Sequence, residues 1–335
     1  MKMTITRYGS RSLLAPNIAA AFCVLISLSC FAQSPGTYPA RAVRMIVPFP
    51  PGGAVDLLAR PLAQKLSERL GQNVVVDNRG GATGIIGADL AAKAAPDGYT
   101  ILVDNVTGHA INPALVRTLP FNTLRDFAPV TLLGWVTNVI LVHPSLPVKN
   151  VKELIALAKM QPRKLSYAHF GIGGTSHLAG ELMKIMTGID IIDVPYKGGG
   201  PAMADLLGGQ IPINFATVST ALGPIRSGRV RALAVTGIKR SAAIPDIPTV
   251  AESGLRGYDV NNWYGLLSPA ATPRDIVARL HDETIKAIQT RDLFERLSAQ
   301  GYDLQTSTRE EFAQHLRAET LKWEKVIMSS GIKIE

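Results

Sequence analysis

VPFPPGGAVD, Val47 to Asp56, is the stretch on which the reading of this chain turns. An apolar run from Val43 enters it as a strand, and leucines four apart, Leu62, Leu66 and Leu70, leave it as a helix. Between them stand Pro50, Pro51, Gly52 and Gly53. Proline fixes φ and removes an amide donor, whereas glycine lets backbone approach a neighbour closely or take positive φ. A strand, a glycine turn and a helix N-terminus together leave several N–H groups facing one point. Such a point suits an anion.

Outward from this turn, strand and helix patterns alternate. Strands are expected at Val43 to Phe49, Val74 to Asp77, Thr100 to Asp104 and Val139 to His143, and helices at Leu57 to Leu70, Ile85 to Ala95 and Val151 to Lys159. Pro61 implies that the first helix begins later or bends. Asn150 with Glu153, and Thr308 with Glu311, are capping-box pairs. From Leu165 the plan starts again, with a short strand, a glycine turn and a helix carrying Leu178, Leu182 and Ile185 on one face. Strands at Ile191 to Val194, Ile211 to Phe215 and Val230 to Val235 follow, and Gly198 to Pro201 opens another helix. The pattern is that of an α/β protein with largely parallel sheets in two tandem units. The closing helices, Ile276 to Ile288 and Arg309 to Ile327, bring no strands for a third unit and are expected against the first. The chain would then cross between units near Asn138 and near Trp263.

The first segment differs in kind. Lys2, Arg7 and Arg11 precede an apolar run from Ala19 to Leu28, and Cys30-Phe31-Ala32 places small residues at both cleavage-defining positions before Gln33. That is the order of a secretory signal peptide over residues 1–32. Pro16 and Asn17 shorten the run below the roughly 20 residues that span a bilayer, and Ser27 stands where a lipobox carries leucine, against acylation of Cys30. Both cysteines, Cys23 and Cys30, fall in the leader, so a mature chain has no disulfide, thiolate site or cysteine nucleophile. Removing three leader cations from 35 basic residues leaves 32 against 26 acidic, a net +6 without a Lys/Arg run. The balance suits small anions and offers nothing to nucleic acid.

Three glycine turns stand before helices: PPGGAVD at 50–56, RGGATGIIG at 79–87 and GIGGTSH at 171–177. YKGGGPA, Tyr196 to Ala202, is a fourth. In open α/β domains such turns lie at the carboxyl ends of strands, where ligands bind, and Thr83, Thr175 and Ser176 add hydroxyls. There is no Walker sequence, and Gly81 to Gly87 departs from the dinucleotide fingerprint, so no cofactor is expected. There is no G-x-S-x-G elbow, and Ser176 and His177, being adjacent, point about 100° apart and make no nucleophile–base pair. His109, His143, His169, His281 and His315 are scattered without metal-ligand spacing and are expected to be structural or solvated, with no metal. Asp56 is read as a helix cap or a ligand contact, capping being the commoner role. Arg79 and Lys197 are in reach of an anion but more often solvated. Phe49 and Tyr196 are read as cleft wall or as core, and Trp263 and Tyr264 as packing.

MIVPFPPGGAVDLLAR, VVDNRGGATGIIGADLAAKAAPDGYTIL, NPALVRTLPFNTLRDFAPVTLL, HLAGELMKIMTGIDIIDVPYKGGGPAMADLLGGQIPI and VRALAVTGIKRSAAIPDIPTVAESG together cover nearly the whole mature chain. They resemble the Bug-type substrate-binding proteins of tripartite tricarboxylate transporters. The resemblance implies a two-lobed type II periplasmic-binding fold, each lobe a mixed, mostly parallel sheet flanked by helices and joined by two hinge strands. Lobe 1 is then 33–138 with 264–335, and lobe 2 is 139–263. It implies a periplasmic, non-catalytic monomer that closes over a small organic carboxylate and presents it to a permease or, on the same fold, to a sensor domain. A secreted hydrolase is the remaining alternative. The loops matching Pro50, Gly52, Gly53, Ala54 and Asp56 and matching Gly173, Gly174, Thr175, Ser176 and His177 would grip the carboxylate from opposite lobes. Thr83, Gly84, Tyr196 and Gly198 would line the cleft, and Ala216, Thr217 and Ser219 its far end. Many relatives carry an aspartate where this chain has Ala216, which disfavours an amino-acid cargo.

Overall fold

β1 (Val43–Val47) is apolar at four of its five positions because it is flanked on both sides by parallel neighbours, β2 (Val74–Asn78) and β3 (Thr100–Asn105). Its one charged side chain, Arg44, reaches Asp77 of β2. In the computed structural model the described residues are Met1, 3–6, 38–196 and 198–330. Met1–Tyr38 forms one unit and Pro39–Glu335 another, which carries all the elements below. Apart from Met1 and residues 3–6, the signal peptide expected over 1–32 lies outside the described residues, as does Lys197. No helix among the described residues is long and apolar enough to cross a membrane.

The sheet runs β2-β1-β3-β9-β4-β7-β5-β6, with β8 on a second edge of β4. The new strands are β4 (Phe127–Val142), β5 (Ser166–His169), β6 (Ile192–Pro195), β7 (Ile213–Thr217), β8 (Arg231–Val235) and β9 (Asn261–Pro269). β3, β9 and β4 pair antiparallel, as do β4 with β7 and β8, while β7, β5 and β6 run parallel. β4 serves two partner sets. Through Thr137 it pairs with β9, and from Asn138 on it lies between β7 and β8. The strand expected from Val139 is therefore only the last part of a 16-residue strand. Its earlier half was hidden by Pro129 and Gly134, where the register shifts at bulges.

The helices are α1 (Ala54–Leu70), α2 (Ile85–Ala92), α3 (Asn112–Leu115), α4 (Val151–Met160), α5 (Thr175–Thr187), α6 (Gly199–Leu207), α7 (Val218–Arg226), α8 (Arg274–Ile288), α9 (Arg291–Ala299) and α10 (Arg309–Ser330). α1 starts at Ala54, three residues before the expected Leu57, and continues through Pro61, so the later start allowed for that proline does not occur. The carbonyl that loses its i→i+4 partner is that of Leu57, an exposed residue, where water can replace the bond. Asn150 caps α4 by accepting from the Glu153 amide, and Thr308 and Glu311 exchange the reciprocal bonds at the start of α10. α8 and α10 pack back on β4, and α10 also on the π-helical turn Thr107–Ile111 that follows β3. A core running from Ile46 and Leu102 through Ile140, Tyr167 and Phe215 to Trp263, Phe312 and Trp323 spans both halves of the sheet. Trp263 and Tyr264 are packing residues, fully buried.

Candidate functional site

The turn after β1 is held open by a carboxylate. Asp56 Oδ2 accepts from the Gly52 amide at 2.9 Å and from Arg60 Nε at 2.8 Å, while Oδ1 accepts from Asn78 Nδ2 at 2.9 Å. Burial pushes this carboxyl up, but the bonds from Arg60, Gly52 and Asn78 outweigh it and hold it below the ordinary aspartate value. Asp56 is therefore a fastening for the loop, and its oxygens are used within it. Pro50, Pro51, Gly52 and Gly53 stay exposed in front of α1. Gly52 has φ of 78°, which an L side chain adopts only at a cost. Gly53 is the N-cap of α1 and offers no side chain to satisfy the first helical amides, so these face outward with the positive end of the helix.

The 79–87 loop backs this turn. Gly81, Ala82, Thr83 and Gly84 all have positive φ, at 131°, 46°, 53° and 96°. Two of them are not glycine, and the Thr83 carbonyl is anchored by Asn112 Nδ2 at 3.0 Å. The Phe49 ring lies where a Cβ on Gly84 would come, 3.1 Å from it, so this pair is one packed wall. Arg79 is paired with Asp77, not held free for an anion.

At the start of α5, Gly174 is the N-cap and Gly173 has φ of 76°. Thr175, Ser176 and His177 are all buried. Ser176 Oγ accepts from the Phe170 amide at 3.1 Å, and His177 Nδ1 accepts from the Gly173 amide at 3.2 Å. Both side chains thus shape the loop, as Asp56 shapes the first one. Tyr196 donates its hydroxyl to Asp205 at 2.7 Å and packs against an apolar cluster, and Gly198 is the N-cap of α6.

β7 corrects one expectation. Ala216 is 1% exposed and its methyl sits in the cluster of Val139, Leu141, Ala168 and Ala221, so it does not line a cleft in this conformation. Its register opposite Val139 turns it to the sheet face covered by α6 and α7. An aspartate there would be buried among aliphatic side chains, so the inference against an amino-acid cargo loses its geometric footing. Thr217, Ser219 and Thr220 instead form a hydroxyl cluster at the start of α7, with Thr217 Oγ1 3.1 Å from Thr220 Oγ1 and 3.2 Å from Ser219 Oγ.

Two cavities locate open space. One of about 320 Å³ is lined by Leu57, Ser219, Thr220, Leu222, Ala299, Gln300 and Tyr302. It joins α1 to the start of α7, and the Tyr302 hydroxyl donates to the Ala54 carbonyl at its edge. The other, about 680 Å³, includes Trp135, Thr137, Ser241, Phe294, Asp303 and His315; among the described residues neither cavity is lined by a residue of the glycine loops. The larger cavity's carboxylates, Asp259 and Asp303, stand beside Lys239 and Arg240, so its charges do not single out an anion. The smaller cavity, at the helix starts, has the right electrostatics. Sequence reasoning missed Tyr302, which lies 248 positions from Ala54 and carries no local signal.

The histidines also need correction. His109 is buried between Asp104 and the Thr123 carbonyl, a structural role as expected. His169 and His177, eight residues apart, are brought together with Asp193 by the strand–turn–helix unit. Spacing rules for a single helix could not reveal that meeting.

Residues 58–332 match the tripartite tricarboxylate transporter family receptor, TctC. Protein BugT of Bordetella pertussis (strain Tohama I) is 38% identical over 303 residues, covering 90% of this chain and 93% of BugT. A solved R. palustris protein with adipate is 37% identical, with a TM-score of 0.79 over 88% of this chain and 99% of that one. MatC from Rhodopseudomonas palustris, solved with bound malate, is 32% identical, with a TM-score of 0.75 over 87% and 100%. With this fold, these loops and a family match over most of its length, the chain belongs to the tripartite tricarboxylate transporter receptor family of solute-binding proteins.

Proposed function

We propose that this protein captures a small organic carboxylate in the periplasm and hands it to a tripartite tricarboxylate-type permease, catalysing nothing itself. The observation that carries the reading is the exposed Pro50–Gly53 turn at the N-terminus of α1, kept open by Asp56 and backed by the left-handed 81–84 loop. Relatives with adipate and with malate support a carboxylate of this size. Ser176 and His177 are each engaged inside their own loop, which speaks against a hydrolase.

The partner change of β4 at Thr137/Asn138 and the start of β9 at Asn261 support two crossings between lobes 33–138 with 264–335 and 139–263. Closure follows as a shift of an open–closed equilibrium, because contacts made from both lobes exist only in the closed state. The monomeric, exported form begins at Gln33 by the leader reading. The test is a thermal-shift screen of that mature form against adipate, malate and further mono- and dicarboxylates, each paired with its amide. A ligand at about a hundred times its Kd adds roughly 2.7 kcal/mol. A rise in Tm with an acid and none with its amide supports the reading. Equal shifts with both, or turnover of any acid, overturn it.

A further inference from the structure

Two histidines and an aspartate from three successive elements converge beside the α5 glycine loop. His169 ends β5, and Asp193 lies on the neighbouring β6, opposite Tyr167 in the parallel register. His177 sits in the first turn of α5. The two rings are 4.4 Å apart between centres. His169 Nε2 is 3.5 Å, and His177 Nε2 3.9 Å, from the same Asp193 Oδ2. One ligating atom from each residue falls within 4.8 Å of the others.

Hydrogen bonding fixes where the His169 proton sits. Nδ1 faces the Gly171 carbonyl at 3.1 Å, and a carbonyl is satisfied only by N–H. The neutral ring therefore turns a bare Nε2 lone pair toward the carboxylate. This Nε2 is buried and has no hydrogen-bond partner among the described residues. Two acceptors facing each other at 3.5 Å repel unless a cation lies between them. The nearby Glu181 is already engaged by the Tyr167 hydroxyl and by Lys184.

We propose that His169, His177 and Asp193 form a binding site for a borderline divalent transition-metal ion of the zinc type, its remaining position open to solvent beside the part-exposed Asp193. Two imidazoles and one carboxylate suit zinc, copper or nickel, whereas magnesium and calcium prefer oxygen alone. Donors around a tetrahedral zinc stand roughly 3.3 Å apart. The distances to Asp193, 3.5 and 3.9 Å, need close only by tenths of an ångström, and the two imidazole donors, within 4.8 Å of each other, by up to about 1.5 Å. The Gly171 carbonyl is the outer partner that orients His169. His177 now accepts the Gly173 amide on Nδ1, which leaves its proton on Nε2. To ligate through Nε2 it must move that proton to Nδ1 and release Gly173. The ion thereby frees one N–H in the loop.

The experiment is isothermal titration of the tag-free protein with Zn²⁺, with Mg²⁺ as control, on wild type, Asp193→Asn and His169→Gln. Asp193 is 43% exposed, so its variant is expected to keep the metal-free Tm. One Zn²⁺ per chain, no Mg²⁺ binding, at least a tenfold loss of affinity in each variant and a shifted Gly173 amide resonance at one equivalent are the expected results. No saturable Zn²⁺ binding overturns the site. So does either variant binding like wild type, which would place the ion on other histidines such as His143 or His281. A Gly173 resonance unmoved by bound Zn²⁺ overturns ligation by His177.

Discussion

The Tyr302 hydroxyl donates to the Ala54 carbonyl at 2.6 Å, fastening the segment after α9 to the first residue of α1. The adjoining Gly301 stands against Val218 and Ser219 at the start of α7, where a Cβ would come 3.3 and 3.4 Å from them. One short turn thus touches two helix starts. Tyr302→Phe removes only the hydroxyl and leaves a carbonyl without its partner. Its expected cost is about 1 kcal/mol, read as a lower urea midpoint with an unchanged slope. A midpoint equal to wild type would mean that water replaces the bond.

Gly53 and Gly52 separate binding from folding. Gly53 has ordinary backbone angles, and a Cβ there would sit 3.4 Å from the Pro50 carbonyl, an ordinary contact. Gly53→Val should fold at a cost of no more than about 1 kcal/mol, yet crowd the helix start and weaken adipate or malate binding about tenfold or more. Gly52 has space around it but a positive φ, so Gly52→Ala should cost about 1 kcal/mol through backbone strain. Titration calorimetry and denaturant melts on both variants check the pair. Unchanged affinity in Gly53→Val would remove the α1 start from the site.

The glycine turns were legible because their physics is local: a strand end, a positive φ and a helix start lie within ten residues. The capping residues of α4 and α10 were legible for the same reason. What was not legible depends on register and distance. Phe215 and Ala216 point to opposite faces of β7 and both are buried because both faces are covered, and nothing in NFATVST says so. β9 was expected only as a crossing near Trp263, without its nine-residue extent, although its Trp263 and Tyr264 were read as packing. The meeting of His169 with His177 required knowing how tightly α5 lies on β5.

Asp303 should make stability depend on pH. Burial raises its carboxyl above the ordinary value, and the bond from the Ala242 amide at 3.3 Å only partly opposes this. A raised acid is better protonated in the folded state than in the unfolded one, so its contribution is full below the unfolded value near pH 4 and is lost as pH rises through the folded value. Asp303→Asn removes the buried charge and keeps an oxygen for Ala242. The variant should melt a few degrees higher at pH 7, with the gap closing toward pH 3.5. A gap independent of pH would assign the effect to packing.

Glu319 ties α10 to the start of β9. Its Oε2 accepts from the indole nitrogens of Trp263 at 3.2 Å and Trp323 at 3.0 Å, and its Oε1 accepts from Lys322, which also bonds Asp259. Both indoles are fully buried, so removing the acceptor strands two donors where water cannot follow. Glu319→Ala should therefore cost about 2–4 kcal/mol, while Glu319→Gln, which keeps an oxygen for an indole, should cost distinctly less. Thermal melts compare the two. Because the tie is made to Trp263, two residues into β9, its loss should also loosen the strand near its start, and hydrogen exchange at Asn262 and Trp263 should quicken more than at Leu266. Uniform quickening along β9 would show that Glu319 supports global stability alone.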